Sequence, residues 1–267
     1  MVFDRDGNLY VTDTDGRRNS RVVKIAPDGR PVAQWHIFAA PAGKRNGPEG
    51  IAMTASGTIL VTDAGIERIL EVSPQGRVLR NFGGTEGVFK DLGHVAVDPA
   101  GNVYVAQAEP NVIEKYSAAG ALLDAWHRSK GPGVGEWGGP ETIATQPDGH
   151  LVVEDWGNRR IEIFDSSGTM LLAFGHLGNG PGEFRNTAGL GVDGDGDIYV
   201  TDVALHRVQK FDARGRLLAT IANAPGAALF AKGPSAIAID RQGSLYSPDG
   251  QTVVKYSQDG KLLARWQ

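Results

Sequence analysis

The sequence predicts an all-β fold, a six-bladed β-propeller of four-stranded antiparallel blades. Three observations predict it: a glycine turn that returns six times, four short apolar runs in every copy, and an Asp–Arg pair at a fixed place in most copies. Copies recur at about 47 residues, a period that belongs to radial arrays of small sheets. The copies fill the 267 residues as one domain, with blades at roughly 1–35, 47–83, 91–127, 138–175, 185–222 and 233–267.

The first anchor is a turn at Gly7, Gly57, Gly101, Gly149, Gly196 and Gly243, and the second falls at Gly29, Gly76, Gly120, Gly168, Gly215 and Gly260. Pairs such as Asp6-Gly7, Asp28-Gly29, Asp148-Gly149 and Asp259-Gly260 supply the positive φ that tight hairpins demand. Between anchors, runs such as "GLGVD", "DIYVTD", "HRVQKFD" and "RLLATIA" are short, rich in Val, Ile, Leu, Tyr and Phe, and bounded by Gly and Asp. Runs of that kind are strands rather than helices. A single four-stranded sheet cannot bury both faces, and radial packing of six buries them.

An Asp ends the second strand and an Arg begins the third: Asp13 with Arg21, Asp63 with Arg68, Asp155 with Arg160, Asp202 with Arg207. In the third copy Gln107 and Val112 stand there, so both charges vanish together. That joint loss predicts a partly buried, hydrogen-bonded pair, since removing one partner would strand a charge.

Composition bounds the function. A net charge of −4 with scattered Lys and Arg gives no basic stripe for phosphates, so nucleic acid is not an expected partner. No apolar run approaches the length of a membrane helix, so no membrane partner is expected either. Zero cysteines remove thiol nucleophiles, disulfides and Cys-ligated zinc. Gly-x-Ser-x-Gly, the phosphate-binding Gly-Lys-Ser/Thr loop and His-Glu-x-x-His are all absent. Met1-Val2-Phe3-Asp4 begins inside an inner strand, from which we expect upstream residues and, if they held an export signal, a secreted or periplasmic protein.

Chemistry is expected where the chain enters each inner strand, at the mouth of the central channel. Aligning the copies there gives Glu49 in "GPEGIAM", His94 in "LGHVAV", Glu141 in "GPETIAT", Ala188 and Ser235. Imidazole and carboxylate suit zinc, while carboxylates with carbonyls and water suit calcium, so Glu49, His94 and Glu141 form the candidate ligand set for a divalent cation. The loops between second and third strands add Arg17, Arg18 and Asn19, Glu109, Trp156 and Arg159, and His206. Paired arginines grip carboxylates in a planar fork, and an exposed indole offers a stacking wall. His94, His206, Arg17 and Arg18 are the candidate catalytic residues, and Asn19, Glu109, Trp156 and Arg159 the candidate substrate contacts. His206 also aligns with Glu67, Asn111 and Arg159, which marks it as a residue of the repeating frame.

"GNLYVTD", "NSRVVKIAPDG", "VVEDWGNRRIEIFDSSGTMLLAFG", "GNGPGEF" and "IYVTDVALHRVQKFD" resemble NHL repeats, which form six-bladed propellers. "TDVALHRVQKFD" and "NSRVVKI" also resemble phrases of the peptidyl-hydroxyglycine amidating lyases, zinc-dependent propellers whose metal is held by histidines entering the inner strands. Here only His94 stands at such a place, and the first-copy loop lacks a Tyr. The resulting expectation is an enzyme acting on a small oxygenated substrate by metal-assisted lyase or lactonase-like hydrolase chemistry, with calcium or zinc. The other reading is a non-catalytic scaffold that displays the same face to a protein or a glycan.

Overall fold

The computed structural model describes residues 1–13, 20–38, 47–64, 66–83, 89, 92–222 and 229–266. It contains six four-stranded antiparallel sheets in chain order. The first holds β1 (Val2–Phe3), β2 (Leu9–Asp13), β3 (Arg21–Ile25) and β4 (Pro31–Trp35), and the second β5 (Pro48–Met53), β6 (Ile59–Asp63), β7 (Arg68–Val72) and β8 (Val78–Phe82). The third holds β9 (Leu92–Val97), β10 (Val103–Gln107), β11 (Val112–Tyr116) and β12 (Leu122–His127), and the fourth β13 (Pro140–Thr145), β14 (Leu151–Asp155), β15 (Arg160–Phe164) and β16 (Met170–Phe174). The fifth holds β17 (Thr187–Val192), β18 (Ile198–Asp202), β19 (Arg207–Phe211) and β20 (Leu217–Ala222), and the sixth β21 (Ala238–Ile239), β22 (Leu245–Asp249), β23 (Thr252–Tyr256) and β24 (Leu262–Trp266). The chain divides into two compact units, one of Met1–Lys130 with Gly139–Ile143 and one of Gly131–Gly138 with Ala144–Gln267.

Second strands such as β6, β10, β14 and β18 are buried along their whole length, whereas outer strands alternate toward solvent. An aromatic side chain from the connection ahead of an inner strand closes the gap between sheets: Phe89 in the first unit, and Trp137, Phe184 and Phe230 in the second, are all fully buried. In the second unit Phe184 and Phe174 both pack on Phe211, with ring centroids 5.8 and 4.8 Å away. Burying an aromatic of this size contributes about 1.5–3 kcal/mol.

The Asp–Arg columns face each other across the second and third strands, as expected, and Gln107 faces Val112 in the third sheet. Arg21 reaches Asp13 at 2.8 Å and Arg160 reaches Asp155 at 3.0 Å, while Arg207 lies 3.9 Å from Asp202. The larger part of the arginine's work is with carbonyls. Arg207 donates to the carbonyls of Asn179, Gly180 and Glu183, and Arg160 to those of Pro132, Gly133 and Glu136. The aspartates hold the same connections through N–H groups: Asp202 accepts from Arg185 and Asn186, and also from Leu205 in the turn after its own strand, while Asp249 accepts from Ala231 and Lys232. In the sixth sheet the cation comes from the outer strand, where Arg265 meets Asp249 at 3.1 Å.

Candidate functional site

The inner strands of the second, third and fourth sheets start close together within the first unit. A methyl group on Gly50 would come within 2.7 Å of the His94 Cα, and one on Gly93 within 2.8 Å of the Glu141 carbonyl. Both distances are impossible for real Cβ atoms, so glycine is required at each for the backbones to approach. Thr62 completes the brace, since its Oγ1 accepts from Gly50 N at 2.7 Å and donates to the Gly93 carbonyl at 2.9 Å.

Strand register corrects the expected alignment by one residue. Ile51, Val95 and Leu190 face Val61, Val105 and Val200, so His94 occupies the place of Gly50 and Gly189, and Gly93 is the counterpart of Glu49. Each of these three inner strands shifts register at this point, which puts an extra residue on it. Glu49 and Glu141 are exposed, whereas His94 is partly buried. Burial lowers its pKa to about 4, so the imidazole is neutral at pH 7. Among the described residues no three His, Asp or Glu side chains stand together as a ready metal-ligand set.

Of the other expected residues, Arg17, Arg18 and Asn19 lie outside the described residues. Glu109 pairs with Lys130 at 3.0 Å on the surface of the first unit, next to a cis bond to Pro110. His206 adopts φ 48°, matching Glu67, Asn111 and Arg159 at 55°, 64° and 55°, so the left-handed turn before the third strand is a property of the frame. Its Nδ1 lies 3.0 Å from the Phe230 carbonyl, which ties the ring to the aromatic plug of the sixth sheet. Trp156 and Arg159 form one unit, with the guanidinium 4.3 Å from the indole centroid and Trp156 40% exposed.

Sequence reasoning missed a second repeated set at the opposite end of the sheets. Tyr10, Tyr104, Tyr199 and Tyr246 donate their hydroxyls to Asp4, Asp98, Asp193 and Asp240, each six residues earlier. Lys24, Lys115, Lys210 and Lys255 lie over the same rings at 4.9–5.4 Å. Burial alone would lower Lys24, Lys210 and Lys255, but the facing Tyr and Asp groups hold all three above the ordinary lysine value. The constant Asp-x5-Tyr spacing was the available signal.

Comparison with known proteins decides the fold class. A family model described as a 6-bladed beta-propeller matches residues 138–239. A streptogramin B lyase structure is similar over 100% of this chain and 81% of its own, with TM-score 0.70 and 14% identity. A catalytically inactive virginiamycin B lyase from Staphylococcus aureus with quinupristin matches over 99% and 82%, with TM-score 0.69 and 13% identity. A propeller in a nidogen/laminin complex matches over 97% and 93%, with TM-score 0.70 and 17% identity. The chain is a six-bladed β-propeller. Likeness at these identities concerns the fold, and a propeller fold hosts lyases and protein-binding modules alike.

Proposed function

We propose that this propeller is an enzyme acting on a small oxygenated substrate by lyase or lactonase-like hydrolase chemistry at the inner-strand starts that carry Glu49, His94 and Glu141. His94 carries the reading. Its position is filled by glycine in the second and fifth sheets, so the fold does not need an imidazole there, and a ring that stays neutral at pH 7 keeps a lone pair to offer a cation. The fold is one that streptogramin B and virginiamycin B lyases also use, so it can carry such chemistry.

A divalent cation, calcium or zinc, is part of this proposal. One imidazole and two carboxylates have suitable donor chemistry, and holding an ion requires the exposed Glu49 and Glu141 to turn toward His94. Such an ion would polarise a substrate carbonyl. Arg17 and Arg18 are proposed to orient the substrate. The second reading, an NHL-type scaffold binding a protein or glycan, draws on the exposed Trp156 and on Arg159, residue types that anchor interfaces.

Metal analysis and turnover of γ-butyrolactone, followed by proton release, test the enzyme reading. The parent is expected to hold about one equivalent of calcium or zinc and to hydrolyse the lactone, and Glu49→Ala/His94→Gly/Glu141→Ala is expected to lose both while staying folded. A parent without bound ion loses the metal-assisted mechanism. A variant that keeps full turnover ends the assignment of these residues.

A further inference from the structure

We infer that the Trp156–Arg159 turn is a preformed binding site for a flat ring bearing a carboxylate. The turn is a single 3-10 segment, Trp156–Asn158, closed by Arg159 in the left-handed region at φ 55°. In the fifth blade the equivalent residue, His206, serves the frame through the Phe230 carbonyl. In this turn the frame is already served by Arg160, which bonds Asp155 and three carbonyls of the preceding connection. Among the described residues the Arg159 side chain bonds only within its own turn, with its guanidinium over the indole ring, 4.3 Å from the centroid.

Three chemical groups meet at this spot. The indole of Trp156 is 40% exposed, and its Nε1–H has no partner among the described residues. Arg159 Nη1 donates to the Trp156 carbonyl, and its other N–H donors have no partner among the described residues. An exposed indole with a guanidinium stacked over it, most of whose donors are unspent, matches a planar ring that stacks on this pair and carries a carboxylate at its edge.

The turn is also held rigid, which reduces the ordering cost of binding. A side chain on Gly157 would come within 2.5 Å of the Gly138 carbonyl, so the two backbones lie in direct contact. Asn158 Nδ2 donates to Asp155 at 2.6 Å and to the Gly131 carbonyl at 2.9 Å, and Asp155 also accepts from Gly138 N at 2.7 Å.

Benzoate is the test ligand, observed by saturation-transfer NMR and titration calorimetry on the whole chain. Saturable binding is expected, weakened about tenfold or more for benzamide, which lacks the charge, and for cyclohexanecarboxylate, which lacks the flat ring. Trp156→Ala is expected to abolish it. Arg159→Asn is expected to weaken it about tenfold or more while keeping the fold, because Asn tolerates positive φ. No saturable binding by the parent, or equal affinity for all three ligands, overturns the proposal without needing any variant. Unchanged benzoate affinity in both folded variants overturns it as well. None of these results depends on Glu49, His94 or Glu141.

Discussion

The two ends of a blade are built by opposite rules. At the hairpin joining first and second strands, the Asp, Tyr and Lys of the first, third, fifth and sixth blades repeat with the same partners. At the other end the connections differ from blade to blade: Glu49, Gly93 and Glu141 stand second in successive inner strands, and Trp156-Gly157-Asn158 stands where the fifth blade has Val203-Ala204-Leu205. Beneath that variation the Asp–Arg clamp persists. A residue that repeats is there to hold the blade, and a residue that departs from the repeat without structural need is a candidate for function.

The largest effect should come from breaking the clamp where it is buried. Asp202 is fully buried and holds three N–H groups, so Asp202→Ala is expected to cost about 3–5 kcal/mol by urea unfolding. Asp13, whose side chain is 48% exposed, is the control, and Asp13→Ala should cost no more than about 1 kcal/mol. Equal losses at the two sites would mean that burial does not set the strength of the clamp.

At the hairpin end the effect should be smaller. Tyr199→Phe removes a hydroxyl donated to Asp193 at 2.9 Å and should cost about 1.5–3 kcal/mol. A loss below a few tenths would remove this end from the structural frame.

A third test uses acid. Burial by itself would raise Asp249, but the N–H groups of Ala231 and Lys232 and the Arg265 guanidinium outweigh it and hold the carboxyl below its ordinary value. A depressed carboxylate gives stability that is present above the unfolded pKa of about 3.9 and is lost as pH falls through the lower folded value. Asp249→Asn should therefore flatten the fall in stability below about pH 4. An unchanged acid slope would show that Asp249 is not linked to folding. The smallest effect is expected at Val134, 86% exposed on a connection, where Val134→Ser should stay within about 0.5 kcal/mol of the parent.

Repeating glycines, apolar runs and the Asp–Arg columns made the blades legible, because each is a local requirement of a hairpin or a paired strand. What escaped the sequence depended on three dimensions. The offset of His94 is an exception, legible as seven residues to Gly101 against eight from Glu49 to Gly57 and from Glu141 to Gly149, and strand pairing agrees with it. Arg265 substitutes for the missing arginine of the sixth blade from a different strand, across the sheet. His206 was legible as a frame residue from its column, and its left-handed φ shows why that column exists.

Urea unfolding of Glu49→Ala/His94→Gly/Glu141→Ala, set beside that of the parent, bears most directly on the distinction between holding and functional residues. The account predicts a difference of no more than about 1–2 kcal/mol, since two of these side chains are exposed and the third stands where other blades use glycine. A loss comparable to that of Asp202→Ala would contradict it, because the three residues would then belong to the frame.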